Sequence, residues 1–292
     1  MRQTKLKHFY CFYTINMYVI DAFCYNGEPI TIKRIAYSFE HVDYFIIVEA
    51  QSTHAGARKD ALYFDTNFQD FAPFMAKIIF YAIDSFPPMP SEWPEQNKHH
   101  TWMNGNFEAW WRESYQRNMC KRVLMDEFQN KQFVLICSDC DEIVKDTVLD
   151  HLHDEAMYDK CNELIFLEME FFYYSTKWIK PYSWYKSFII NDKALLSLPD
   201  LTHCRVNRPV SRVISKAGWH FSYFMDTVGL QNKLSSFAHR ECDKKEFADL
   251  EHIKHCILEG HDLFDRGAHE QLQHTPPSTL ANIPDLFKDE TN

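Results

Sequence analysis

Phe133-Val-Leu-Ile-Cys-Ser-Asp139-Cys-Asp141-Glu142 is the stretch that decides the fold of this chain. Its apolar run is continuous rather than alternating, which reads as a strand buried on both faces of a parallel sheet. The strand then delivers two carboxylates spaced i, i+2. In open α/β sheets ligands sit beyond the carboxyl ends of the strands, so a site is expected at this point.

Working outward, similar apolar runs occur in MYVIDAF from Met17, YFIIVEA from Tyr44 and KIIFYAI from Lys77. Helical patterns lie between them. After Pro29, the residues Ile32, Ile35, Ala36 and Phe39 share one face, and Phe107 to Phe128 repeats apolar residues at helical spacing. Strand and helix in alternation predict an α/β chain with a Rossmann-like, mostly parallel sheet flanked by helices. Pro87 to Asn106 reads as a long loop of the functional kind. Beyond Asp150 come the partly alternating LIFLEMEFFYYS from Leu164, shorter strands, and helices over about Val228–Phe237 and Lys244–Glu259. The expected division is an extension over 1–16, one domain over 17–267 and a loosely held tail over 268–292.

Composition narrows the chemistry. The 292 residues hold only 7 Gly, and no G-x-G-x-x-G or P-loop occurs, so phosphate must be met by metal and carboxylates or by Arg and Lys. The net charge of -10 and the lack of a basic block argue against nucleic acid as a partner. Nine scattered cysteines do not read as a disulfide framework, which favours a soluble protein of a cytoplasm-like reducing compartment. Lys5 and Lys7 precede an aromatic run, but Thr14, Asn16 and Asp21 break it, and no stable membrane insertion is expected.

Two carboxylates at the end of a buried strand can hold a hard divalent cation, which in turn bridges diphosphate oxygens. Asp139 and Asp141 are therefore candidate metal ligands, and His220, in AGWHFSYF, is a third because imidazole accepts cations such as Mn²⁺. Cys137 and Cys140 form a C-x-x-C, but the intervening aspartate opposes a lowered thiol pKa. Arg117 and Asn118, on the helix before the strand, can reach the same sheet edge and offer donors to phosphate. Glu49 ends another strand, where a carboxylate suits a ribose or a base edge. Trp93, Trp102 and Trp219 are candidates for stacking on sugar faces.

Taken in order, YVIDAFCYNGEPITIKRI, VDYFIIVEAQSTHAG, LYFDTNFQDFAPFMAKIIFY, WWRESYQRN, LICSDCDEI, AGWHFSYF and KLSSFAHRE resemble glycosyltransferase family 17 over about Tyr18 to Gly267. The resemblance implies a GT-A-type fold with an acceptor-side C-terminal subregion. It implies inverting transfer of a sugar, N-acetylglucosamine in the animal enzymes, from a UDP-sugar to a glycan or glycoconjugate. It further implies a divalent cation, Mn²⁺ or alternatively Mg²⁺, and the Golgi lumen as the alternative compartment. By position, Asp139 and Asp141 would hold metal and diphosphate, Arg117 and Asn118 would contact ribose and phosphate, Glu49, Thr53 and His54 would line the nucleotide pocket, and His220 would approach the diphosphate. Met225-Asp226 and Lys216 depart from the family pattern, which leaves the acceptor open. Asp226, Glu170 and Glu168 are candidates for the base that takes the acceptor proton. Two other readings stand beside this one: a silent nucleotide- or carbohydrate-binding module, and a metal-dependent phosphohydrolase.

Overall fold

The computed structural model describes residues 17–206 and 212–288, so the expected extension over 1–16 lies outside the described residues. Ten strands form one mixed sheet: β1 (Tyr18–Cys24), β2 (Tyr44–Ala50), β3 (Ile78–Ile83), β4 (Phe133–Cys137), β5 (Glu142–Val144), β6 (Ile165–Tyr173), β7 (Ser175–Ile179), β8 (Phe188–Asn191), β9 (Val213–Ser222) and β10 (Gln273–His274). The main path runs β10-β7-β6-β8-β4-β1-β2-β3, and β9 joins β5 to β6.

The four strands expected from apolar runs run parallel to one another, in the order β3-β2-β1-β4. Both their faces are covered, as continuous apolar runs require. Val19, Ile47, Val134 and Ile136 face one core cluster, while Ile20, Ile46, Val48 and Leu135 face the other, beneath the helix Phe107–Glu127. Beyond β4 the sheet continues through antiparallel β8, β6 and β7, with β9 parallel to β6.

Strand order reverses between β1 and β4, because β2 and β3 build outward on one side of β1 while β4 lies on the other. A crevice opens at such a switch point, outside the carboxyl ends of both strands. The loop after β1 (Tyr25–Pro29) and the turn after β4 (Ser138–Asp141) meet there.

Three segments differ from expectation. Within the long loop, Trp93–Asn97 and Thr101–Met103 are short helices, and Trp93 packs on Phe107 and Trp111. The last long helix is Leu250–Glu259 rather than one beginning at Lys244, because Asp249 accepts hydrogen bonds from the Glu251 and His252 N–H groups and caps it there. Residues 268–288 are packed rather than loosely held. β10 pairs with β7, and Ile283 and Phe287 are buried against Trp219 and Phe221.

Candidate active site

Four buried residues shape the turn after β4. Arg34, on the helix Ile30–Ser38, donates through Nη1 to the backbone oxygens of Asp139 at 2.6 Å and Glu142 at 2.9 Å. Its Nη2 donates to Ser138 Oγ at 2.6 Å, and its Nε to Asp21 of β1 at 2.8 Å. Burial disfavours the guanidinium, but Asp21 outweighs that and keeps it raised above the ordinary arginine value. The turn is thus tied to β1 and the first helix. Glu142 is fully buried; it accepts from the Asp139 N–H at 2.8 Å, from Trp184 Nε1 at 2.5 Å and from Arg205 at 2.8 and 2.9 Å.

β9 arrives beside this turn because Gly218 lets it. A Cβ on Gly218 would lie 2.3 Å from the Ile143 carbonyl oxygen, so only glycine allows the close β5–β9 approach that registers Glu142 with His220. His220 Nε2 then stands 3.5 Å from Asp141 Oδ1, with its ring stacked on Phe171 at 4.5 Å and beside Trp184 at 4.6 Å. Its buried Nδ1 has no hydrogen-bond partner among the described residues. Lys233, from the helix Thr227–Ser236, stands 3.5 Å from Asp141 Oδ2. Burial disfavours its ammonium, but Asp141 and Glu28 hold it well above the ordinary lysine value.

Asp139 is placed differently. Arg117 Nη2 donates to its Oδ1 at 2.8 Å and Arg205 Nη2 to its Oδ2 at 2.6 Å. Burial alone would raise this carboxyl, but Arg205 and Arg117 outweigh it and hold it well below the usual carboxylate range. With a side chain 36% exposed, it still faces the crevice. Among the described residues no group of three or more His, Cys, Asp or Glu side chains is arranged to hold a metal ion. Asp141 and His220 offer two converging donors.

A cavity of about 450 Å³ occupies the crevice, and six of the expected residues line it: Thr53, His54, Arg117, Asp139, Asp141 and His220. His54 Nε2 contacts Gln116 Oε1 at 2.8 Å, and burial lowers its pKa despite Glu113, leaving a neutral imidazole. Glu49 does not reach the cavity: it accepts from the Tyr63 and Phe64 N–H groups and pairs with Lys59 at 2.5 Å. Asn118 turns outward, its Oδ1 accepting from the Leu201 N–H at 2.8 Å.

Side chains alternate along a strand. On β6, Phe171 and Tyr173 point into the cavity, while Glu168 and Glu170 bind Tyr185 and Lys145 away from it. Asp226 caps the helix Thr227–Ser236 by accepting from the Gly229 N–H at 2.7 Å, and it lines a neighbouring cavity. The alternation on β9 buries Trp219 on the side opposite His220, so its ring is not available to stack on a sugar. The rings that do line the cavity include Trp184, Tyr182 and Tyr223. The Trp102 side chain lies outside what is described.

Residues absent from the sequence reading complete the site. Arg205, from the short helix Leu201–Val206, is the most consequential, and Arg266 and Glu270 reach in from the last third of the chain. Cys137 and Cys140 are free, and burial pushes the Cys137 thiol up to about 12 and Cys140 well above its ordinary value, so the pair is unreactive. No helix among the described residues is long and apolar enough to cross a membrane.

The profile of a family described as glycosyltransferase family 17 matches residues 3–272. Among curated proteins, none matches the chain significantly.

Proposed function

The chain belongs to glycosyltransferase family 17 and is a glycosyltransferase; from that premise we propose that the crevice takes a UDP-sugar, with N-acetylglucosamine as the sugar, and transfers it with inversion to a glycan or glycoconjugate. The observation that carries this reading is the set of cations gathered around Asp139 and Asp141 at the switch point. Arg117, Arg205 and Lys233 converge there without a glycine-rich loop. A diphosphate entering this crevice meets forked guanidinium donors already oriented by Asp139.

Thr53, His54 and Gln116 supply neutral polar groups at the far wall, suited to ribose and base. Asp141 and His220 would hold a divalent cation, Mn²⁺ or Mg²⁺, which when bound offsets charge on the departing diphosphate. The packed rings of Phe171, His220 and Trp184 wall that corner with apolar surface, which strengthens each charge interaction beside it.

The test is calorimetric titration of UDP with and without Mn²⁺, followed by UDP release from UDP-N-acetylglucosamine, UDP-glucose, UDP-galactose and GDP-mannose. The expected result is UDP binding that Mn²⁺ tightens, turnover with one UDP-sugar, and loss of both in Asp141→Asn. Equal binding of GDP and UDP, or no binding of either, would overturn the donor assignment.

A further inference from the structure

A second cavity, about 490 Å³, adjoins the first and shares four lining residues with it: Asn26, Glu28, Lys233 and Ser236. Its remaining walls differ in character from the diphosphate side. Asn232, Asp226 and Lys33 offer neutral, acidic and basic hydrogen-bonding groups, and Tyr63, 37% exposed, and Phe224 offer ring faces. Amides, carboxylates and aromatic faces together are the chemistry that meets a neutral saccharide, whose hydroxyls need acceptors and whose pyranose faces need apolar cover. A transferase has to bring two substrates to one point, and here that point is the wall between the cavities.

Five carboxylates line the first cavity, and four are committed to cations. Glu113 pairs with Arg117, Asp139 with Arg117 and Arg205, Asp141 with Lys233, and Glu270 with Lys180. Glu28 alone makes no direct ion pair among the described residues, acting on Lys233 only through space. Its Oε2 accepts from the Asn26 N–H at 2.8 Å, which fixes the side chain, and no hydrogen bond reaches Oε1 among the described residues. The backbone beneath it is fixed as well. Gly27 takes a φ of +89°, and a Cβ there would lie 2.9 Å from the Tyr63 ring, so the turn is packed flat against that wall. Asp226 is also free of ion pairs, but it lines only the second cavity and is held as a helix cap.

We propose that the second cavity binds the acceptor saccharide and that Glu28 is the general base. This rests on the donor reading above. In the step, the acceptor oxygen bonds to C1 of the donor sugar. The C1–O bond to the β-phosphate breaks and its electron pair leaves on UDP, while the acceptor hydroxyl proton passes to the Glu28 carboxylate.

The experiment compares wild type, Glu28→Gln and Glu28→Ala for UDP affinity, for UDP release from UDP-N-acetylglucosamine with an oligosaccharide panel, and for glycosyl azide formation in sodium azide. Glu28→Gln is expected to bind UDP within about threefold of wild type and to lose about 10²- to 10⁴-fold in transfer rate. Azide carries no proton to remove, so it should give glycosyl azide with Glu28→Ala. Transfer by Glu28→Gln within tenfold of wild type overturns the assignment. So does a parallel loss of UDP affinity, or failure of azide to react in a Glu28→Ala protein that still binds UDP. Asn232→Trp, which fills the second cavity, should raise the acceptor KM at least tenfold while UDP affinity stays; an unchanged KM overturns the placement of the acceptor. A wild-type protein that releases UDP from no donor refutes the donor reading itself, and this proposal with it, before any variant is made.

Discussion

Arg205 joins Asp139 to Glu142: one guanidinium nitrogen, Nη2, donates to Asp139 Oδ2 at 2.6 Å and to Glu142 Oε1 at 2.8 Å. Glu142 is fully buried, and Arg205 is its ion-pair partner. Removing one partner of a buried pair costs about 3–5 kcal/mol, because the other charge is left uncompensated. Arg205→Met is expected to lose stability on that scale in urea unfolding. Arg205→Lys should fall between the two, since an ammonium cannot reproduce the planar fork.

Gly218→Ala tests the seat of His220. The added methyl would meet the Ile143 carbonyl oxygen, and overpacking of this kind costs about 1–3 kcal/mol. The variant is expected to melt lower than wild type and to bind UDP more weakly, as β9 shifts away from Asp141. Calorimetry of both properties on one sample checks it.

Lys180 is buried against Asp262 at 3.2 Å and Glu270 at 2.9 Å, with Arg266 on the same carboxylates. Burial alone would raise Asp262, but hydrogen bonds from Arg266 outweigh it and hold the carboxyl at about 2, below its ordinary value of 3.8. A depressed carboxyl contributes stability that is present above its unfolded pKa and disappears as pH falls through the folded value. A shift of that size is worth about 2 kcal/mol. Asp262→Asn is therefore expected to be less stable than wild type at pH 7. The gap should narrow between about pH 4 and pH 2, followed by denaturant unfolding at each pH.

Phe287 is 1% exposed and packs between Tyr37, Trp219 and Phe221. Phe287→Ala is expected to cost about 3–5 kcal/mol, measured by urea unfolding. A tail with no structural role would leave the unfolding midpoint unchanged.

The parallel half of the sheet could be read from sequence because each of its strands is apolar on both faces, a pattern that survives without any long-range information. Asp139 and Asp141 were readable for the same reason, since a buried strand announces where it ends. Glu49 ends a strand just as clearly, yet β2 is not at the reversal of strand order, and its carboxylate caps a short helix and holds Lys59 instead. Glu168 and Glu170 were misplaced by a single alternation along β6. Arg205 left no local mark: it lies 66 residues from Asp139, inside LTHCRV, where an arginine reads as surface. Counter-charges brought in by topology have no spacing to recognise.

β9 enters the sheet between β5 and β6, both of which precede it in the chain by at least 40 residues. Three acidic groups, Asp139, Asp141 and Glu142, are therefore made early, while Arg205, His220 and Lys233 emerge from the ribosome late. Of the arginines that contact this turn, Arg34 and Arg117 precede it in the chain, and the non-local pairings that bring in the rest form slowly. The crevice is therefore closed only by residues from the last third of the chain, Arg205, His220, Lys233, Arg266 and Glu270, arriving on a turn made much earlier.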